Sequence, residues 1–226
     1  MKDSRQRGAS YIEFSFALLL LVPMLLGTVG LGLNLLLAYQ TSQVARDAGH
    51  MYARATDFSL SGNQTILATL GSGIGLSATS GVTGTAGSGS AVVVFSTITY
   101  IDDAACVGGG YGSGGVHTSA CKNYGDWVFQ ERIVVGNSSM KTSDYGSPLT
   151  TGPSPVTIAS NGAISTTDQL TNPGDVATFS AMNPYNSSNG TGVPSGQQLY
   201  ITEVAAQGFN MPPFAKSPVQ YAYNIF

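Results

Sequence analysis

The stretch FSFALLLLVPMLLGTVGLGLNLLLAY, residues 14–39, decides the fold of this chain. It lies within residues 14–45, a run that contains no charged side chain. As a helix it would span about 39 Å at about 1.5 Å per residue, more than the ~30 Å hydrocarbon core of a bilayer. Secretory signals have a hydrophobic stretch of only about 7–15 residues, followed by a small-residue cleavage site. The stretch therefore predicts a retained membrane-spanning helix.

Charges flank this stretch unequally. The segment MKDSRQRG, residues 1–8, carries three basic residues and one acidic residue, whereas the two arginines that follow the uncharged run are offset by two aspartates. Because Lys and Arg favour the cytoplasmic side of a membrane, we expect the amino terminus to stay inside and the bulk of the chain to be exported.

The two cysteines agree with export. Cys106 and Cys121 are the only pair in the chain, and they bracket a Gly-rich loop. In an oxidising compartment such a pair forms a disulfide. The alternative is two unrelated free thiols.

Composition excludes several classes of function. Only 9% of the residues are charged, against about 25% in ordinary soluble domains. With 9 basic and 12 acidic residues the formal net charge is −3, so no basic surface is available for a phosphate backbone. These values argue against a typical cytosolic enzyme and against a nucleic-acid-binding protein.

We divide the chain into four regions. A basic leader, residues 1–8, precedes a helix over residues 9–58, since helix-forming residues continue beyond the hydrophobic stretch. Residues 59–90 are rich in Gly, Ser and Thr and predict a flexible connection or short irregular strands. Residues 91–226 form an exported head domain, so the expected fold class is α+β, with a long amino-terminal helix and a β-rich, antiparallel-sheet head.

Strands in the head are predicted from runs of β-branched and aromatic residues separated by clusters of Pro, Asn and Gly. The predicted strands are residues 91–101, 126–136, 154–160, 197–209 and 219–226.

Small residues recur every four positions near the end of the predicted helix. They are Thr41, Ala45, Gly49 and Ala53. Such a stripe lets another helix backbone approach closely. The alternative is that the stripe packs on the protein's own head domain.

Glu13 is the acidic residue that adjoins the hydrophobic stretch. A carboxylate in or at the edge of hydrocarbon is costly unless it is paired, so this residue calls for a partner. Taken alone, the residue is also consistent with a glutamate that extends to the lipid headgroups.

The segment R-G-A-S-Y-I-E-F, a basic leader, a glycine, a glutamate five residues later and then a long apolar helix, resembles the processing site of type IV pilin-like proteins. The longer stretches RGASYIEFSFALLLLVPMLLG and VARDAGHMYARA look like the TadE-like pseudopilins of the tight-adherence (Flp) pilus system. The resemblance implies that prepilin peptidase cleaves between Gly8 and Ala9. It also implies that Glu13 pairs with the new α-amino group of a neighbouring subunit.

The resemblance further implies a structural role in pilus assembly and surface adhesion. Its implied partners are other pilin-like subunits, prepilin peptidase and the assembly platform of the bacterial inner membrane. The head would be periplasmic before assembly and part of an extracellular pilus afterwards. Three alternatives stay open: a main filament-forming pilin, an unprocessed single-span membrane-anchored binding protein, and a secreted domain cleaved beyond the apolar run.

We find no pattern that assigns a catalytic residue, a cofactor or a metal. His50 and His117 lie in no spacing typical of a metal site or a catalytic triad. Asp102, Asp103 and Asp126 could bind calcium, but a solvated turn at a strand end is the favoured interpretation. The G-x-G-x-x-G match at residues 110–115 lies between the cysteines with no helical pattern after it, which indicates a flexible surface loop.

Overall fold

The computed structural model describes residues 4–79, 81–179, 192, 196–212 and 218–226, with side chains from residue 11 onward. A long helix, α1 (Ser4–Ala53), leads into a domain built on an antiparallel sheet. The predicted α+β class is therefore confirmed. Further elements follow in chain order: α2 (Ser61–Leu70), β1 (Ala91–Tyr100), α3 (Asp103–Gly108), β2 (Gly112–Ser113), β3 (Val116–His117), β4 (Trp127–Gly136), α4 (Thr166–Thr171), β5 (Gln198–Gln207) and β6 (Val219–Ile225).

The main sheet has the strand order β4-β1-β5-β6, and each neighbouring pair is antiparallel. Its four strands coincide with four of the five predicted ones. The fifth prediction, residues 154–160, is wrong, because Ile158 forms only an isolated bridge with Ile164. A strand needs a neighbour along its whole length, and this segment instead lies on the sheet as irregular chain.

The carboxyl-terminal part of α1 packs on this sheet. Val44, Ala45, Ala48 and Tyr52 are buried in one hydrophobic cluster with residues of β1, β4 and β5. β-Branched and aromatic side chains on one face of the sheet provide the apolar surface that these helix residues cover.

The stripe of small residues lies in this contact. Thr41 and Ala45 are fully buried, Gly49 is buried and Ala53 is half-buried. A Cβ at Gly49 would lie 2.4 Å from the Phe226 ring, so glycine is what lets β6 and the chain's last residue approach the helix. The sequence left two interpretations of the stripe, contact with another helix and packing on the protein's own head. Packing on the head is the arrangement observed within this chain.

Residues 59–90 differ from the expected connection. They contain α2 and a 3-10 turn at Ser72–Ile74, and Leu67 and Ile74 enter the same core as α1. The Gln64 side-chain amide donates to the carbonyls of Phe58 and Gly81 at 2.8 and 2.7 Å. Burial of these side chains stabilises a helix that the Gly/Ser/Thr composition did not predict.

On the other face of the sheet, a buried ion pair fixes a loop. Arg132 and Glu203 are 5% and 2% exposed, with Nη1 and Oε2 at 4.0 Å. Glu203 Oε1 accepts hydrogen bonds from the Asp144 backbone N–H at 2.9 Å and from the Tyr221 hydroxyl at 2.6 Å. Burial lowers the pKa of Arg132 to about 10, against the opposing effect of Glu203.

The predicted disulfide between Cys106 and Cys121 is confirmed. It ties α3 to the chain that follows the β2–β3 hairpin, and both cysteines are buried with Ile101, Val128 and Leu170. A closed loop of this length stabilises the folded state by about 3 kcal/mol in the chain-entropy model.

Candidate functional site

Between residues 11 and 29, α1 makes almost no contact with the described part of the head. Most side chains over residues 11–29 are exposed, including Leu18, Leu19, Leu20, Leu21 and Val22 in succession. Because each helical residue turns by about 100°, five consecutive exposed residues cover every side of the helix. Such an all-round apolar surface is typical of a helix that is buried in hydrocarbon or among other helices.

The helix is long and apolar enough to cross a membrane. Its uncovered part, residues 11–29, is about 28 Å long at about 1.5 Å per residue. The hydrocarbon core of a bilayer is ~30 Å thick. The part of α1 that the head leaves uncovered therefore matches a bilayer in length.

The head begins to cover α1 at a defined junction, formed by Gly30 and Asn34 on the helix and Gly208 and Phe209 after β5. The Asn34 side chain accepts from the Phe209 backbone N–H at 2.8 Å and donates to its carbonyl at 3.3 Å. A Cβ at Gly208 would lie 2.6 Å from Asn34 Oδ1. The amide of Asn34 thus pairs with both backbone polar groups of Phe209, and Gly208 makes the close approach possible.

Asn34 is a functional candidate that the sequence reasoning missed. It is the one amide side chain within residues 14–39. A polar residue inside an apolar helix usually has a specific partner. A single amide in this stretch could therefore have indicated a contact at Asn34. The partner itself lies 175 positions away in the sequence, so only the fold identifies it.

Glu13 lies at the far end of the uncovered helix. Its side chain is exposed, and within the described residues it has no hydrogen-bond or ion-pair partner. Gly8 and Ala9 lie in the first turns of the same helix, and their side-chain surroundings fall outside the described residues. The carboxylate is therefore available to a group from outside the described part of the chain.

Of the three aspartates considered for calcium, two accept hydrogen bonds from the backbone and the third is exposed. Asp102 accepts from the Ala105 backbone N–H at 2.9 Å and caps α3. Asp103 accepts from the His117 backbone N–H at 2.8 Å and contacts His117 Nδ1 at 2.7 Å. The first of these bonds lowers the pKa of Asp103 most. Asp126 is exposed, and in the described part of the chain no group of three or more His, Cys, Asp or Glu residues is placed to hold a metal.

The glycine-rich match at residues 110–115 contains β2 and the turn that leads into β3. Gly114 and Gly115 have φ of 62° and 84°, the left-handed conformation of a tight turn. No helix begins after this turn; the chain enters β3 instead. A dinucleotide site needs a helix amino terminus at that point, so the hairpin lacks the required geometry.

The chain matches no family model, no curated protein and no solved structure.

Proposed function

We propose that this chain is a pilin-like structural subunit, similar to the TadE-like pseudopilins of tight-adherence pili. One observation carries the proposal: an uncovered apolar helix of bilayer length begins beside Glu13 and ends where the head docks at Asn34. A subunit that is stored in a membrane and later packed among other helices needs an apolar shaft, here residues 11–29, and a solvated head.

Processing by prepilin peptidase between Gly8 and Ala9 is the first step of the proposed function. Cleavage removes the basic leader and creates an α-amino group on Ala9. Glu13 is then the fifth residue of the processed chain. In an apolar environment each of these charges alone would be costly. Pairing the Ala9 ammonium of one subunit with the Glu13 carboxylate of the next neutralises both and sets the axial register of the subunits.

Assembly then transfers the shaft from lipid to a bundle of like helices. Both environments are apolar, so the all-round hydrophobic surface of residues 11–29 suits each in turn. The partners are other pilin-like subunits, the peptidase and the inner-membrane assembly platform. The head faces the periplasm before assembly and the outside of an extracellular pilus afterwards, where it supports adhesion.

A second candidate function is an unprocessed single-span membrane protein with a ligand-binding head. The observation that favours it is a cavity of about 340 Å³ between the end of α1 and the sheet. The two functions differ in whether the leader is removed and in whether Glu13 has a neighbour to pair with.

Replacement of Glu13 tests the pilin function in cells that assemble the filament. We expect Glu13→Gln to reduce incorporation into filaments at least about tenfold, because the unpaired Ala9 ammonium is then left in an apolar bundle. The measurement is quantitative immunoblotting of sheared filaments against membrane-bound subunit.

The matched control is Asp47→Asn, which removes an exposed carboxylate from the same helix. Asp47→Asn should leave incorporation unchanged, and both variants should reach the membrane at the original level. Incorporation of Glu13→Gln at the level of the unaltered chain would contradict the proposed role of Glu13.

A further inference from the structure

A cavity of about 340 Å³ opens where α1 ends against the sheet. Its lining comes from the end of α1, from the turn after it, from β1, β4 and β5, and from Ala163. This volume lies at the lower end of the range for small-ligand sites, about 300–1,000 Å³.

The wall of the cavity carries two carboxylates, those of Asp57 and Glu131, and no basic residue. Within the described residues neither carboxylate takes part in an ion pair. The carbonyl end of α1 contributes further negative potential, because the lining residues Ala55 and Thr56 come two and three residues after the helix ends at Ala53. The cavity is therefore electronegative without a cation of its own to balance it.

Gln130, the chain neighbour of Glu131, contributes to the wall of the cavity. Its Oε1 atom is buried and lacks a hydrogen-bond partner within the described structure. Gln130 is also the extra residue of a β-bulge, since Thr97 pairs with Glu131 and Ile98 with Phe129. Because this oxygen has almost no accessible surface, it does not face the cavity, so the carboxylates of Asp57 and Glu131 are the acceptors that a ligand can reach.

Tyr52 holds the geometry of the cavity rigid. Its hydroxyl donates to Glu131 Oε2 at 2.7 Å and lies 2.7 Å from Thr97 Oγ1. Its ring meets the Tyr200 ring edge-on at 5.5 Å. The Glu131 carboxylate is thus positioned before any ligand binds. The Tyr200 ring also lines the cavity and can contact a cation.

We infer that this cavity binds a guanidinium group, carried by an arginine side chain of another polypeptide or by a small alkylguanidine. A guanidinium has five N–H donors spread over a plane, which suits acceptors on separate walls, and it stacks on aromatic rings. It is also less strongly hydrated than an ammonium, so it enters a partly enclosed cavity at lower cost. A bare metal ion is disfavoured because two carboxylates provide too few ligands in so large a space.

Binding should weaken on acidification. Burial raises the pKa of Glu131, and the Asp57 charge raises it further, while hydrogen bonds from Tyr52 and Thr97 lower it. These are the groups that face Glu131 from α1, from the turn after it and from β1. As pH falls through the pKa of Glu131, the carboxylate becomes neutral and its attraction for the cation is lost.

The test uses the full chain in a non-ionic detergent, with n-butylguanidinium as the probe and the backbone amides of Thr97, Gln130 and Glu131 observed by NMR. We expect saturable shifts with a Kd of about 1 mM or tighter. Glu131→Gln and Asp57→Asn should each raise the Kd about tenfold or more, since each removes a charge-assisted contact. Both variants keep the side-chain oxygen that accepts from Tyr52 or from the Ser59 backbone N–H, so the fold is retained.

The control variant is Asp126→Asn, which removes an exposed carboxylate outside the cavity. It should leave the Kd unchanged, and tetramethylammonium, which has no N–H donor, should give no saturable shift. Three results would each overturn the inference. They are shifts that do not saturate with n-butylguanidinium, a Kd in both cavity variants equal to that of the unaltered chain, and shifts with calcium equivalent to those with n-butylguanidinium.

Light scattering distinguishes the two sources of the guanidinium. If an arginine of a second copy fills the cavity, n-butylguanidinium should dissociate oligomers of the unaltered chain. If the ligand is a free small molecule, saturation should proceed with no change in mass.

Discussion

At the scale of single residues, this fold depends on polar groups placed inside apolar surroundings. Glu203 stands in an apolar strand, and the structure pairs it with Arg132 across β1 and with the loop at Asp144. Asn34 pairs with the Phe209 backbone in a similar way. The sequence makes these residues visible as exceptions to the hydrophobic pattern, but their partners are set by tertiary contacts and could not be read from it.

Asp175 differs from these residues, because no partner for it lies in the described part of the chain. It is fully buried, and within the described structure neither carboxylate oxygen has a hydrogen-bond partner. Burial, with a smaller contribution from the Asp168 charge, raises the pKa of Asp175 to about 8. The folded state therefore retains a proton there that the unfolded chain loses near pH 4.

This difference predicts a pH-dependent effect of Asp175→Asn. Because the folded pKa lies above the unfolded one, the contribution of Asp175 to the free energy of unfolding should fall as pH rises from about 4 to about 8. Asp175→Asn removes this loss, so its stability relative to the unaltered chain should grow with pH by on the order of 2 kcal/mol across that window. Thermal unfolding of the full chain in detergent at several pH values measures it.

Asp126→Asn is the control for this measurement, because Asp126 is exposed. Its stability curve should run parallel to that of the unaltered chain between pH 4 and 8. If the Asp175→Asn curve is also parallel, Asp175 is not a buried, protonated carboxyl and its assignment is wrong.

At the scale of elements, strand positions were more predictable than strand partners. The runs of β-branched and aromatic residues locate β1, β4, β5 and β6 to within a few residues. Their order in the sheet joins residues about 100 positions apart, as between β1 and β5, and local pattern contains no information on such pairing. The helix α2 was missed for a related reason, because Gln64 and Leu67 are stabilised by tertiary burial rather than by propensity.

The contact between α1 and β6 gives a prediction at this scale. We expect Gly49→Val to lower the free energy of unfolding by about 1–3 kcal/mol, because even a Cβ would lie 2.4 Å from the Phe226 ring. Gly32→Val on the same helix should have no such effect, since nothing lies within 4 Å of a Cβ there. Thermal unfolding of the full chain in detergent compares the two.

The double variant Gly49→Val with Phe226→Ala identifies the cause. If the clash with Phe226 is responsible, the two substitutions together should destabilise less than the sum of their separate effects. Strict additivity would show that Gly49 is needed for another reason.

At the scale of the whole molecule, the chain is divided into an apolar shaft and a folded head. The uncharged run predicted the shaft, and the structure adds where it ends, because the head docks at Asn34 and leaves residues 11–29 uncovered. The cavity at the other end of α1 was not predictable, since its two carboxylates come from separate elements. The low charge content reflects both parts, a shaft without charges and a head rich in small polar residues.

The intact mass of the protein isolated from its own membrane tests the central claim most directly. A pilin-like subunit should begin at Ala9, and deletion of the prepilin peptidase should restore the leader MKDSRQRG to the mass. A protein that keeps this leader when the peptidase is active, or that begins beyond residue 38, would contradict the account.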